Sequence, residues 1–459
     1  MADGLQDLKT GASAKIAAHI ANTRYDHLPA SAIHAAKRAM LDHMTCAVAG
    51  SAMPVSRTLL DYFRDNDATR IATVVGGGTK LSAANAALVN GANTHGLDFD
   101  DGHTNGSTHP SGAIFPAILA AAEQYGASPQ DVLLAAVIGY DVMTRTAAAM
   151  HPYTARKGFH NTPVSGVFGA TAAVASLLEL DAAQSLNALG LAGSFVGGIR
   201  QYLDEGAEIK RIHPGKAARD GLLCAEFAKR GITGPSKIYE GRYGFADVFV
   251  NGEFKWDRFL RDLGSDWEIE RIYFKPYPCC RHYHAVIDGI RSLQQEHGFR
   301  AADVTSMRLG LYAVGYNGHD HKHCDNLLDA QMSAPVAAGL AVVEGDIAAH
   351  MFLPESLERA EVRRLIEAAD AYIDDECESI YPGRRSGAVE ITLKDGRKLD
   401  ARVLDPKGEG ENPMTDDDLQ RKFTANCEPV IGKERAAGLA KTVWSFDQAK
   451  GMAELVRWI

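Results

Sequence analysis

From the start of the chain to about residue 265, apolar residues recur at helical spacing. Residues 31–50 carry Ile33, Ala36, Met40, Leu41, Met44 and Cys46 on one period and stop at Gly50. The stretches 113–126, 130–150, 163–178 and 216–230 follow the same pattern. Small residues recur within them, as in Gly166-Val167-Phe168-Gly169-Ala170-Thr171-Ala172-Ala173, so the predicted helices approach closely and form a tight bundle. Near Trp267 the texture changes. Ile269–Phe274 and Ser306–Val314 read as strands, 281–297 as a helix between them, and 327–344 and 360–373 as further helices. Ala388–Leu393 and Lys398–Val403 flank Asp395-Gly396, a hairpin signal. Beyond Pro406 the pattern turns helical again, with Thr415 the predicted N-cap before Asp416-Asp417-Asp418. The fold class expected is mainly α: a large all-α helical domain over 1–265, completed by 406–459, and a smaller α+β domain over 266–405.

At 459 residues the chain exceeds one ordinary core. A net charge of −10 with no dense basic stretch argues against nucleic acid as a partner, and requires any anion site to gather its cations locally. Met1-Ala2-Asp3-Gly4-Leu5-Gln6-Asp7 has neither the basic region nor the apolar run of a signal peptide. No uninterrupted apolar stretch is long enough for a membrane span. The seven cysteines are odd in number and scattered, which suits free thiols in a reducing cytoplasm. No C-x-x-C pair suggests an iron–sulfur cluster or a structural zinc.

The chemistry concentrates in Leu97-Asp98-Phe99-Asp100-Asp101-Gly102-His103, running on to Thr108-His109-Pro110-Ser111-Gly112. Three carboxylates and two imidazoles so close together are solvated, ligate a metal, or do acid–base chemistry. Pro110 suits a first helical turn, which puts His109 at a helix entrance that favours anions. A polar loop capping a buried helix is the competing reading. Gly76-Gly77-Gly78 invites a nucleotide reading. Leu81 stands where a dinucleotide fingerprint needs its third glycine, so a simple turn before a helix capped by Ser82 is preferred. Gly158-Phe159-His160-Asn161-Thr162 sets a histidine in a turn between helices. Lys210-Arg211-Ile212-His213-Pro214-Gly215-Lys216 opens a helix with cations and free N–H groups, a carboxylate or phosphate site unless it is a solvated patch neutralised by Asp204, Glu205 and Glu208. Phe274-Lys275-Pro276 and Cys279-Cys280-Arg281-His282-Tyr283-His284 again suit anion binding and proton transfer, with the cysteines as buried thiols. His319-Asp320-His321-Lys322-His323-Cys324 has metal-ligand chemistry, but Lys322 and the lack of strand formers favour a polar loop near the site.

Together these segments resemble the MmgE/PrpD family, which contains 2-methylcitrate dehydratase, cis-aconitate decarboxylase and iminodisuccinate epimerase. The motifs that carry the likeness lie in register: Asp98-Phe99-Asp100-Asp101 with Thr108-His109-Pro110-Ser111, Gly158-Phe159-His160, Lys210 to Gly215, Lys275-Pro276 with His284, and Ser333-Ala334-Pro335. The resemblance implies a large all-α domain, a smaller α+β lid, a cleft site and a homodimer. It carries the site onto Asp98, His109, His160, Lys210, Lys275 and Tyr316. One departure is that decarboxylase-like members have threonine directly after the Asp-Asp pair, where this chain has Gly102.

The reactions of such a family share a carbanion next to a carboxylate, so cations must sit where charge develops. Lys210 and Lys275 are the expected clamps, His109 and His160 the base and acid, Asp98 the group that orients an imidazole, and Tyr316 a proton donor to the leaving hydroxyl. His103, Arg211, His213, Arg281 and His284 are candidate substrate contacts. No metal or organic cofactor is required. The leading expectation is a hydro-lyase acting on a 2-methylcitrate-like tricarboxylate. Decarboxylation of cis-aconitate and epimerisation of an amino-linked dicarboxylate are the near alternatives. A non-catalytic protein that binds small acids is the alternative of another class, and a nicotinamide oxidoreductase is disfavoured by the defective glycine motif.

Overall fold

The structure is a computed structural model that describes residues 11–345 and 347–459. The reading of the first seven residues lies outside that range. The chain is mainly α, and its buried apolar residues form two large cores. The first is helical. Ala30–Gly50 (α1), Ala83–His95 (α2), Ser111–Tyr125 (α3), Pro129–Met150 (α4), Asn161–Leu177 (α5) and Ile209–Lys229 (α6) bury Met40, Val89, Phe115, Ile138, Phe168 and Leu222 together. Helix starts follow local chemistry. Ser128 caps α4 by accepting from Asp131 N, and Pro129 fills the first helical position.

Helix α4 is long and apolar enough on average to cross a membrane, yet every residue of its apolar window is buried in the core. It also carries the ion pair of Arg145 Nε with Asp141 Oδ1 at 2.9 Å, which belongs in a packed interior.

Three of these helices meet backbone to backbone. A Cβ on Gly91 of α2 would overlap Gly215 Cα of α6 and the carbonyl of Gly112 on α3, and a Cβ on Gly215 would overlap Leu88 O. Glycine at these positions lets α2, α3 and α6 converge at one point, a few residues along the chain from Asp98, His109 and Lys210.

The second core lies around a four-stranded sheet of order β4-β3-β5-β6, formed by Val304–Leu311 (β3), Ala369–Ile373 (β4), Gly387–Leu393 (β5) and Lys398–Val403 (β6). β3 runs parallel to β4 and antiparallel to β5, and β5 and β6 make the hairpin around Asp395-Gly396. His284–His297 (α7), Ala334–Glu344 (α9) and Ala360–Glu367 (α10) cover the sheet with Ile287, Ile290, Leu340 and Leu365. The tail, Asp416–Ile431 (α11) and Lys433–Trp444 (α12), packs Leu419, Phe423, Leu439 and Val443 into the first core, and Thr415 caps α11 by accepting from Asp418 N.

Several local readings are corrected. Ile269–Phe274 is no strand: Glu268–Arg271 is a 3-10 turn, and Tyr273 forms a single antiparallel bridge to Gly102. With no neighbouring strand there, its apolar residues are buried one by one. The strand expected at Ser306–Val314 ends at Leu311, and Ala313–Tyr316 turns helical. The helix read over 327–344 is Leu327–Gln331 (α8) and then α9, broken where Ser333 caps a new start by accepting from Val336 N ahead of Pro335. In 360–373 the helix stops at Glu367 and the rest is β4, whose place comes from the edge of β3 rather than from its own period. Gly76–Gly78 turns a short hairpin of Ala72–Val74 (β1) and Thr79–Leu81 (β2). Ser82 does precede α2, but its hydroxyl donates to Asp67 Oδ2 at 2.7 Å instead of capping the helix.

Candidate functional site

The segment 97–103 is buried and held from all sides; it is no solvated loop. Asp98, Asp100 and Asp101 are at most 2% exposed. Gln331 Nε2 donates to Leu97 O at 2.7 Å, Lys422 Nζ to Phe99 O at 2.8 Å, and Tyr140 Oη to Asp101 Oδ2 at 2.7 Å. Ser111 N donates to Asp101 Oδ1 at 3.0 Å, while Gly102 and Tyr273 exchange backbone bonds. Asp98 itself sits at φ +51°, a left-handed backbone that non-glycine residues seldom adopt and that surrounding contacts must enforce. Those contacts are two ammonium groups. Lys210 Nζ donates to Asp98 Oδ1 at 2.6 Å, and Lys275 Nζ lies 2.7 Å from Asp98 O and 3.2 Å from Oδ1.

The electrostatics follow. Burial works to raise the Asp98 carboxyl, but Lys210 and Lys275 hold it well below the usual carboxylate range. Burial pulls Lys210 down more than Asp98 lifts it, whereas at Lys275 burial is outweighed by Asp98, Tyr273 and Asp100, which hold the ammonium above its ordinary value. His95, at the end of α2, donates from Nδ1 to both oxygens of Asp100 at 2.9 Å, which leaves Nε2 4.0 Å from Asp98 Oδ1.

His109 Nδ1 lies 2.7 Å from the carbonyl of Asp101. A carbonyl only accepts, so Nδ1 carries the proton and Nε2 presents a lone pair. Burial and Lys275 push this imidazole down to about 3, so it is neutral at pH 7. His160, just before α5, faces His213 Nδ1 to Nδ1 at 3.0 Å, and the two share one hydrogen bond. Burial and then His213 hold His160 well below its ordinary value, and burial and His95 bring His213 to about 4.

Asp98, His109, His160, Lys210, Lys275 and Arg281 all line one cavity of about 90 Å³, along with Arg200, Tyr202, Tyr273, Cys280, His282, His319, Tyr381 and Arg385. That is several times the space one water needs, enough for a small acid and too little for a nucleotide. Two walls face each other. Asp98, His109, His160 and Lys210 come from the helical core; Lys275, Arg281, His282, His319 and Arg385 come from the chain that builds the sheet and its approach.

Tyr316 is not brought to this cavity. It ends a short helical turn after β3, and Asp320 raises its phenol. His103 does not line the cavity either: it is buried with Nε2 3.2 Å from Glu268 Oε2, and Nδ1 accepts from Gly106 N at 3.2 Å. Arg211, His213 and His284 stand behind the lining. Arg211 donates to Gln331 Oε1 at 3.2 Å, and His284 Nδ1 meets Arg281 Nη1 at 2.8 Å. Arg281 reaches the cavity but is paired with Glu409 at 3.0 Å.

The sequence reading missed His95, Arg200, Tyr273 and Arg385; His282 and His319 stood in motifs it quoted, without being named as site residues. His95 had a signal, since it stands three residues before Asp98. Arg385 lies in an irregular loop and had none. Gly102 has a structural meaning: a Cβ there would overlap the Tyr273 hydroxyl. Where the resemblance led us to expect a threonine side chain, a tyrosine hydroxyl from the opposite segment occupies the space.

A clamped carboxylate, a neutral imidazole of fixed tautomer and a cationic wall make an acid–base site for a small anion. The sequence matches the MmgE/PrpD N-terminal domain over residues 14–257 and the MmgE/PrpD C-terminal domain over residues 277–448. The chain belongs to the MmgE/PrpD family. It is 27% identical to the cis-aconitate decarboxylase-like protein oryM of Aspergillus oryzae, over 94% of each chain. It is 26% identical to a cis-aconitate decarboxylase of Aspergillus terreus, over 98% of this chain and 96% of that one. Its match to the 2-methylcitrate dehydratase-like protein oryR of Aspergillus oryzae is 24% identical and spans 51% of this chain and 49% of the relative.

Proposed function

We propose that this lyase decarboxylates a cis-aconitate-like tricarboxylate. The observation that carries the reading is the charge imbalance of the cavity: Lys210, Lys275, Arg200 and Arg385 line it, against the carboxylate of Asp98. An acid with several carboxylates restores the balance. The relatives named cis-aconitate decarboxylases match over nearly the whole chain, which supports this reaction over the dehydration that the sequence alone put first.

In this reading two substrate carboxylates pair with the ammonium and guanidinium groups, which positions the third as the one that leaves. The C–C bond breaks, carbon dioxide leaves, and the electron pair spreads through the adjacent alkene toward a carboxylate held by Lys210 and Lys275. The proton that ends the reaction leaves Nε2 of His160, the ring of the pair that lines the cavity, as His160 Nδ1 takes the proton it shares with His213, and His213 is reprotonated from solvent. The α+β lobe acts as the lid over the helical lobe, with the division at 1–265 plus 406–459 and 266–405.

A second reading, dehydration of a 2-methylcitrate-like acid, is favoured by one observation. The Nε2 lone pair of His109 is that of a base, and decarboxylation does not need one. Proton NMR in deuterated water with cis-aconitate, 2-methylcitrate, citrate and iminodisuccinate separates the readings. Release of carbon dioxide with one deuterium in the product is the expected outcome. An olefin formed from 2-methylcitrate replaces the first reading with the second, and deuterium washed into otherwise unchanged iminodisuccinate assigns an epimerase. Turnover of none of the four overturns both.

A further inference from the structure

The loop from His319 to Ser333 carries a second cluster, outside the cavity. His321 Nε2, Cys324 Sγ and a carboxylate oxygen of Asp329 lie within 4.8 Å of one another. Their neighbours aim them at one point. Asp329 Oδ2 accepts from Asp325 N at 3.0 Å, which leaves Oδ1 free to stand 3.0 Å from His321 Nε2. Asp329 sits in the first turn of α8, where its own amide donates to Asn326 Oδ1 at 2.9 Å. The base of the loop is closed by Ala334 N to His319 O at 2.8 Å and Ser333 Oγ to His321 O at 2.5 Å. All three side chains are half-buried, and Cys324 lines a cavity of about 280 Å³ that gives an entry path.

We propose that His321, Cys324 and Asp329 bind a zinc-class divalent cation, with a fourth position open to water. A thiolate, an imidazole and one carboxylate oxygen select zinc or its neighbours over magnesium and calcium, which want oxygen alone. Entry of the ion sends the Cys324 thiol proton to solvent. The proton on His321 Nε2, which the Asp329 carboxylate and the Asp329 carbonyl at 3.1 Å now hold, moves to Nδ1; the thiol proton released makes affinity rise with pH.

A second trio, Cys280, His282 and His319, also brings its ligand atoms within 4.8 Å, but its chemistry is wrong for a cation. Arg385 Nη1 donates to His282 Nδ1 at 3.1 Å, so in the neutral ring the proton sits on Nε2, and Lys275 and Arg385 line the same space. The His321 site has a consequence for the cavity because its loop delivers His319. His319 Nδ1 donates to Met332 O at 2.7 Å across the loop base, so an ion bound further out staples the segment that builds this wall.

The test is titration of metal-free, full-length protein with Co²⁺ alone, followed by displacement with Zn²⁺. The expected result is one Co²⁺ per chain with a thiolate-to-cobalt charge-transfer band. Cys324→Ser removes the band, His321→Gln weakens binding by more than the 10- to 100-fold that a supporting contact is worth, and Cys280→Ser leaves both intact. Absence of a stoichiometric band, its survival in Cys324→Ser, or its loss in Cys280→Ser overturns the assignment. His321→Gln alters no cysteine, so retention of full affinity in that variant overturns it too.

Discussion

Replacing Asp98 by asparagine keeps the shape of the side chain and removes the charge that two buried ammonium groups share. Lys210 lies 2.6 Å from Oδ1 and Lys275 3.2 Å, and both lysines are at most 6% exposed. Removing one partner of a buried pair costs about 3–5 kcal/mol, because the remaining charge is left without compensation. With unfolding entropy of about 2.1 cal/mol/K per residue, the 459 residues give roughly 1 kcal/mol/K, so the midpoint falls by about 3–5 °C. The pH dependence carries the sharper information. Without Asp98, burial is opposed less: Lys210, already lowered, drops further below the unfolded value of about 10.4, and Lys275 keeps only the weaker support of Tyr273 and Asp100. The unfolded chain then binds more protons than the folded one, so the variant gains stability as pH rises. Its deficit against the parent is widest near pH 6 and shrinks toward pH 10. Scanning calorimetry at pH 6, 8 and 10, at low and high salt, reads this directly. A deficit that is constant across that range, or below about 1 kcal/mol, or abolished by salt as a surface pair would be, refutes the buried clamp.

Three further outcomes test the site. Burial, then Asp42, pushes the Asp101 carboxyl up to about 7, so its stabilising protonated form is present below the unfolded pKa near 4 and lost as pH rises through 7. Asp101→Asn mimics that form and is expected to be more stable than the parent at pH 8 by up to about 4 kcal/mol, at 1.36 kcal/mol per unit, with little difference at pH 4; equal midpoints at pH 8 contradict it. His103→Ala is expected to lower the melting temperature while KM for the true substrate stays within about twofold, since His103 serves Glu268 and not the cavity; a rise in KM of tenfold or more restores it as a substrate contact. Gly102→Thr is expected to abolish turnover through collision with Tyr273, and Tyr273→Ala in the same chain recovers folding; full activity of Gly102→Thr alone removes the steric argument.

Long periodic segments were legible, and so was the hairpin at Asp395-Gly396, because their signals are local. β4 was not, because Ala369–Ile373 continues directly from a helix with no glycine or proline between them and becomes a strand only beside β3. The site divides the same way. Asp98, His109, His160, Lys210 and Lys275 stand in dense motifs and meet in space. His103 stands in an equally dense motif and turns away toward Glu268, which no spacing along the chain encodes. Tyr316 was placed by likeness to relatives in a poorly patterned loop, and there the ring packs partly buried against the second core instead of lining the cavity.

The convergence of Gly91, Gly112 and Gly215 gives the two walls of the cavity different freedoms. Where α2, α3 and α6 touch, the contacts are backbone and the Pro214 ring, with no flexible side chain between them to change rotamer. Asp98 just follows α2, His109 just precedes α3 and Lys210 lies in α6, so all three are carried by elements that meet at this junction. The facing wall, with Cys280, His282, His319 and Arg385, hangs on loops and has no such anchor. Exchanges on the loop wall are therefore expected to reshape the cavity for a different acid, whereas a side chain added at Gly91 or Gly215 is expected to disturb the reacting groups themselves.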